Sequence, residues 1–372
     1  MRILYLTRSD SVHDQRFLST LAESGHEGCV LRLYPGNYPT PTGVKALTWA
    51  GFEQGLQNWN FPVAQRALER LIDQVQPDLI HAGPLPDLAF LAAKTGFRNL
   101  LAMSWGFDLM KDVRVSKLDE HRTRFALRNA RGLITDARCS AEAAVSFGFP
   151  EDKITIFPWG VDLENFSPDR AQKLGKPWRE KMGWQDKTVL LCLRSWEPNY
   201  GVDVLIESFG RAAAKNPDLR LILLGDGSLR EEYLRLLDTQ EIKDKVYIGG
   251  RVPNLELITF YGAADVYITP SHVDGSSVSL MEALACGLPT AASNIPANLE
   301  WVKAGENGWI FRDNSVEDLT EILLALPKAI SEEMPRKARK TALQKADWSV
   351  NKKKLLACWQ ALAPKEGCQN EK

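Results

Sequence analysis

Two carboxylates with seven residues between them, Asp274 and Glu282, bracket a run of small side chains, Gly275-Ser276-Ser277-Val278-Ser279. The run follows an apolar stretch ending Thr269-Pro270-Ser271 and opens into the helix-like Leu280-Met281-Glu282-Ala283-Leu284. A small-residue loop at the start of a helix lets backbone N–H groups approach an anion, and the helix N-terminus adds positive potential. Carboxylates suit sugar hydroxyls because they accept two hydrogen bonds in one plane. One acid in the loop and one about a turn inside the helix can serve the same ligand. Arg194, after the apolar run 188–193, supplies a cation suited to phosphate oxygens. Tyr200 can hydrogen-bond a phosphate but brings no positive charge at neutral pH.

These residues need strands whose ends bring them together. Short apolar runs at 3–6, 28–33, 79–82, 99–103 and 132–135 alternate with amphipathic stretches at 15–24 and 62–76. A second series of strand-like runs covers 188–193, 219–224, 246–248, 266–268 and 289–292. Such alternation predicts an α/β protein with two doubly wound, mostly parallel Rossmann-like domains. Pro158 and Gly160, in Phe157-Pro158-Trp159-Gly160-Val161-Asp162, interrupt regular structure and mark a hinge. The expected division is 1–165 for the first domain and 166–347 for the second, with a last helix at about 349–362, in 348–372, crossing back. In this architecture the strand C-terminal ends look onto a shared cleft, where ligands bind.

Composition excludes several classes. Of 372 residues, 44% are hydrophobic and 25% charged, a globular balance that excludes disorder as the main state. Lys and Arg total 46 against 47 Asp and Glu, so no net charge points to nucleic acid. No apolar run approaches a membrane span. Met1-Arg2-Ile3-Leu4-Tyr5-Leu6-Thr7 reads as a strand and not a signal peptide. The cysteines (Cys29, Cys139, Cys192, Cys286, Cys358, Cys368) follow no disulfide or zinc spacing, which predicts a reducing, cytoplasmic setting.

The segment from Asp274 to Glu282 resembles the donor motif of GT-B glycosyltransferases of the retaining, glycogen-synthase-like family 4 (glycosyl transferases group 1). Arg194, Gly225-Asp226-Gly227, Gly249-Gly250-Arg251-Val252, Tyr261-Gly262-Ala263-Ala264-Asp265 and Gly305-Glu306-Asn307-Gly308 resemble further family segments in the same order. The resemblance implies a GT-B fold with the acceptor on the first domain and a nucleotide sugar on the second. It implies that Asp274 contacts the transferred sugar and Glu282 the ribose, that the Gly275, Ser276, Ser277 and Val278 amides face sugar and phosphate, and that Arg194 binds the diphosphate. Arg251 and Val252 would meet the nucleobase. The chain departs from the family in four places. Asp274 stands for a longer glutamate, Tyr200 for a lysine, and Trp105, in Trp105-Gly106-Phe107-Asp108, for a histidine. The glycine-rich loop after the first strand is replaced by Ser9-Asp10-Ser11-Val12-His13-Asp14-Gln15-Arg16.

Other candidates are weighed against plainer roles. His13 and Asp108 follow first-domain strands and are expected on the acceptor side as acid or base, Asp108 alternatively as a helix cap. His81, Trp105 and Arg16 are further acceptor-side candidates, and His272 could reach the sugar. Residues 111–131 hold Lys111, Arg114, Lys117, Arg122, Arg124, Arg128 and Arg131 against Asp112, Asp119 and Glu120. That run is either a solvated helix face or a contact for anionic lipid.

The expected activity is retaining transfer of a hexose from a nucleotide-diphosphate sugar, UDP-linked, to a glycan, lipid-linked or small-molecule acceptor. Neither metal nor cofactor is expected. With no evident protein nucleophile, the acceptor would enter beside the departing phosphate, and domain closure would exclude water. Two alternatives stand beside it: a GT-B sugar-nucleotide isomerase like the non-hydrolysing UDP-N-acetylglucosamine 2-epimerases, and a non-catalytic sugar-nucleotide-binding subunit.

Overall fold

A computed structural model describes residues 1–8, 11–34, 38–49 and 60–364. Ser9 and Asp10 of the replaced loop, and the end of the expected C-terminal helix beyond 364, lie outside the described residues. The chain forms two compact units, Met1–Pro158 with Ser349–Lys372, and Trp159–Trp348. Residues 159–165, expected in the first domain, therefore belong to the second. The Val161 N–H donates to the Ala346 carbonyl and the Trp348 N–H to the Val161 carbonyl, and Phe166 is buried in the second unit's core.

The first unit carries a seven-stranded sheet of order β3-β2-β1-β4-β5-β6-β7. Its strands are β1 (Arg2–Thr7), β2 (Glu27–Arg32), β3 (Val44–Leu47), β4 (Leu79–Ala82), β5 (Leu100–Met103), β6 (Gly132–Thr135) and β7 (Ile154–Ile156), every pair parallel. The second unit carries six parallel strands in the order β10-β9-β8-β11-β12-β13. They are β8 (Thr188–Cys192), β9 (Leu219–Leu224), β10 (Val246–Gly250), β11 (Val266–Thr269), β12 (Thr290–Ser293) and β13 (Gly308–Phe311). Central strands read as unbroken apolar runs because helices cover both faces: Ile3, Leu4, Tyr5 and Leu6 are all fully buried.

Three strands escape a sequence reading. β3 lies at a sheet edge and buries only Val44. β7 is three residues long and only half-buried. β13 begins at Gly308, inside a segment that reads as a turn, yet a side chain there would meet the Thr290 carbonyl oxygen at 1.9 Å.

Local signals set the helices beside the strand ends. Ser11 caps the helix Val12–Glu23 and forms a capping box with Asp14. Ser277 caps the helix Val278–Ala285. The Tyr261-Gly262-Ala263-Ala264-Asp265 segment has a packing role. A Cβ on Gly262 would lie 1.8 Å from the Ala171 carbonyl oxygen, so only glycine lets the helices Leu257–Ala263 and Pro168–Lys181 approach this closely. Asp265 then accepts from Arg179 at 2.7 and 3.0 Å and from the Val189 N–H at 2.8 Å, tying the segment to β8. The helix Trp348–Ala361 belongs to the first unit from Ser349 onward, with Leu355 and Trp359 fully buried.

Asp108 pins two loops of the first unit together. It is fully buried, and its carboxylate accepts from the Ser104 hydroxyl at 2.5 Å and from the N–H groups of Leu85, Trp105 and Leu109, each at 3.0 Å. The loop after β4 is thereby bound to the loop after β5. This corrects the expectation of an acceptor-side acid or base: the carboxylate is saturated by its own chain and holds the backbone around Trp105. Burial pushes its pKa up from 3.8 to about 6, against the pull of these hydrogen bonds.

The native state thus favours the protonated form. Its contribution is complete below the unfolded value near 4 and is lost as pH rises through about 6, a difference of about 3 kcal/mol. Urea unfolding of the wild type and Asp108→Asn at pH 4 and pH 7 measures it. The wild type should lose roughly 2 kcal/mol more than the variant between these pH values, since at pH 4 the unfolded carboxyl is already half ionised. Parallel losses would return Asp108 to the ordinary carboxylate range.

Candidate functional site

In the second sheet the order of strands reverses between β8 and β11, the place where doubly wound sheets bind ligands. Arg194 leaves the end of β8 and Asp274 the loop after β11. Their side chains meet, Arg194 Nη2 to Asp274 Oδ2, at 2.5 Å. Arg194 is only 7% exposed. Its Nη1 donates to the Ser277 hydroxyl at 2.5 Å and the Ser279 hydroxyl at 3.2 Å. The guanidinium carbon stands 4.3 Å from the centre of the Tyr200 ring. Arg194 Nε is buried without a hydrogen-bond partner among the described residues.

Burial lowers the arginine's proton affinity, but Asp274 more than restores it, so the group is a permanent cation. Asp274 is pushed up by burial and held back by Arg194 and by the Gly275 N–H, which donates at 3.0 Å. The pair, Arg194 buried and Asp274 half-buried, is a preorganised charge site at a helix start. An anionic ligand would find a fixed guanidinium, and a polyol would find the carboxylate beside it.

Glu282 sits deeper. It is 1% exposed, and accepts from Asn254 Nδ2 at 2.8 Å and from the Tyr261 hydroxyl at 3.0 Å. Ser279 links the Glu282 neighbourhood to the arginine: the Ser279 carbonyl lies 3.0 Å from the Tyr261 hydroxyl, and Ser279 Oγ accepts from Arg194, meeting the Tyr267 hydroxyl at 2.7 Å and Ser277 Oγ at 3.1 Å. Gly275, Ser276 and Ser277 are buried and Val278 half-buried. Val252 packs on the core and Arg251 is exposed at the end of β10. His272 Nδ1 meets Asp313 Oδ1 at 2.6 Å, and its ring stands against Gly201.

The first unit gathers a different set. His13 lies in the first turn of its helix, its ring centre 5.3 Å from that of Trp105 in a T-shaped pair. Burial pulls its pKa down, against Asp14, which keeps the imidazole neutral at pH 7. Trp105 is half-buried, with a buried Nε1 lacking a partner among the described residues. Arg16 is half-buried on the same helix as His13. Arg8, at the end of β1, pairs with Asp87 from the loop after β4.

His81 is a correction. It is fully buried in β4, 5.1 Å from the Tyr5 ring and 5.9 Å from Phe17, and its Nδ1 accepts from Trp359 Nε1 at 3.3 Å. Burial pushes it down to about 3. It is a neutral core residue that seats the C-terminal helix, not an accessible acceptor contact.

Sequence reasoning missed Asn254, Tyr267 and Ser279 as partners of the charged groups, and Arg8 with Asp87. Tyr261 stood inside a segment noted for its family likeness. Asn254 carried no local signal, because its partner lies 28 positions away.

Residues 12–165 match the family described as Glycosyltransferase Family 4, and residues 176–345 match Glycosyl transferases group 1. The chain is 28% identical over 285 residues to a GDP-mannose-dependent alpha-(1-6)-phosphatidylinositol monomannoside mannosyltransferase of Mycolicibacterium smegmatis, covering 72% of each chain. It is 26% identical over 227 residues to the putative colanic acid biosynthesis glycosyltransferase WcaL of Escherichia coli, covering 58% of this chain and 53% of that one. Among solved structures, Anabaena HepE in complex with UDP superposes with a TM-score of 0.78 at 17% identity, over 97% of this chain and 100% of that one. With both halves matched in order and two parallel Rossmann-like sheets in place, the chain belongs to the family 4, group 1 glycosyltransferases of GT-B fold.

Proposed function

We propose that this glycosyltransferase moves a hexose from a nucleotide-diphosphate sugar to a hydroxyl acceptor with retention at the anomeric carbon. The observation that carries the proposal is the buried Arg194–Asp274 pair beside the Ser277 helix start, at the switch point of the second sheet. Arg194 and the loop amides stabilise the departing diphosphate, and Asp274 accepts from a sugar hydroxyl. The anomeric carbon–oxygen bond to phosphate breaks as the acceptor oxygen bonds to the same face. The acceptor proton passes to the phosphate, so the step uses neither a protein nucleophile nor a metal. The acceptor belongs to the first unit, near His13, Arg16 and Trp105.

The donor is read as UDP-linked, supported by neighbours whose structures hold UDP, or UDP with glucose. A GDP-linked mannose is the second reading, favoured by the name of the mycobacterial relative. That relative acts on a phosphatidylinositol mannoside, which supports a lipid-linked acceptor here.

The basic run 111–131 divides in two. Arg122 is buried with its guanidinium 4.1 Å over Phe61, and Arg124 pairs with Glu120 at 2.8 Å, so both serve the helix Lys117–Asn129. Val115 (69% exposed) and Leu118 (43%) instead stand out beside exposed Arg114 and Lys117. Apolar tips among cations fit the surface of an anionic bilayer, and the protein is proposed to work at a membrane from the cytoplasmic side.

Two experiments test these readings. Incubation with a panel of UDP- and GDP-hexoses and lipid-linked acceptors, read by NMR, should give product of unchanged anomeric configuration and a rate indifferent to EDTA. Arg194→Gln should lower kcat/KM by roughly 100-fold or more. An inverted product or a trapped sugar–protein adduct would refute the mechanism. An altered sugar formed without acceptor would favour the isomerase, and nucleotide binding without transfer the non-catalytic subunit. In flotation assays the wild type should bind vesicles containing anionic lipid, and Arg114→Glu with Lys117→Glu should release it. Equal partition into neutral and anionic vesicles would end the membrane proposal.

A further inference from the structure

We infer that Tyr200 is a positioning residue whose ring holds the Arg194 guanidinium in the orientation that meets the donor diphosphate. The inference rests on the reading of the second unit as a nucleotide-sugar site. A guanidinium is planar, with donors around its edge and two faces that stack on aromatic rings. Here the edge is divided: Nη1 is committed to Ser277 and Ser279 and Nη2 to Asp274, while Nε is buried without a partner among the described residues. The guanidinium carbon lies over the Tyr200 ring, 4.3 Å from its centre.

The ring is itself held by backbone. Tyr200 ends the short turn Pro198–Tyr200, and Gly201 follows with φ 56°. A side chain at Gly201 would meet the Pro270 carbonyl oxygen at 2.2 Å and the His272 ring at 3.1 Å. The His272 N–H donates to the Asn199 carbonyl at 2.9 Å. The turn carrying Tyr200 is thus clamped to the loop carrying Asp274, and the guanidinium lies between the two. An ammonium in place of the ring would set a second positive charge against Arg194 and remove the surface on which it lies. The site has one oriented cation where relatives with a lysine would have two.

Tyr200→Phe, Tyr200→Leu and Tyr200→Lys separate ring, volume and charge. Each would be assayed for kcat and KM with the donor, for UDP and GDP affinity by calorimetry, and for melting temperature. Phenylalanine keeps the ring and should stay within about threefold of wild type. Leucine should lose roughly 30-fold, mainly in kcat, because a misaligned guanidinium fails the charge that develops on the leaving group. Lysine should not recover that loss. Tyr200→Met, with a longer side chain, repeats the comparison if the leucine variant melts early. Leucine and methionine variants with wild-type kcat would reduce Tyr200 to packing. A phenylalanine variant as impaired as leucine would assign the role to the hydroxyl, and a fully active lysine variant would show that charge suffices. Each of these overturns the inference while leaving the donor site intact. Failure of the wild type to bind or transfer any nucleotide sugar overturns both.

Discussion

A single buried ion pair organises the second unit. Removing Arg194 and Asp274 from water carries a desolvation cost that mutual attraction offsets only with good geometry and satisfied neighbours. A contact of 2.5 Å and two serine hydroxyls on the guanidinium meet part of that condition. The aromatic face of Tyr200 adds to it. What the pair leaves unmet is Nε, a buried donor without a hydrogen-bond partner among the described residues. The site is therefore built around a charge already fixed in place, and donors that need not reorient contribute most when charge develops on a ligand.

The first unit repeats the device in outline. Its sheet also reverses order, between β1 and β4, and there Arg8 from the end of one strand pairs with Asp87 from the loop after the other. In both units the two loops diverge from neighbouring strands, and an arginine and an aspartate bridge the crevice between them. The difference lies in what surrounds the pair. Nearby in the first unit, the loops after β4 and β5 are bound by Asp108, and His13 and Trp105 meet as a T-shaped ring pair.

Several family-like segments prove to be scaffold. Gly262 permits two helices to touch, Asp265 anchors them to β8, and Asn307 holds the turn before β13 through the Trp301 carbonyl and the Lys303 N–H. They reach the chemistry at one remove: the helix packing set by Gly262 places Tyr261 against Glu282. Likeness along a sequence thus marks packing as well as candidate ligand contacts, and only coordinates show which residues pack.

The amino-acid sequence alone determined the two doubly wound halves, because fully buried parallel strands must be apolar runs and their spacing repeats. It also marked the loop between Asp274 and Glu282, because small residues between two acids at a helix start are a local pattern. Tertiary structure decided what each charged or polar group does. His81 and Asp108 end or follow strands exactly as site residues do, but burial made one a neutral core ring and the other a clasp between loops. The pairing of Arg194 with Asp274 spans 80 positions, and that of Asn254 with Glu282 spans 28. Such contacts arise from strand order and helix packing, which no local spacing encodes.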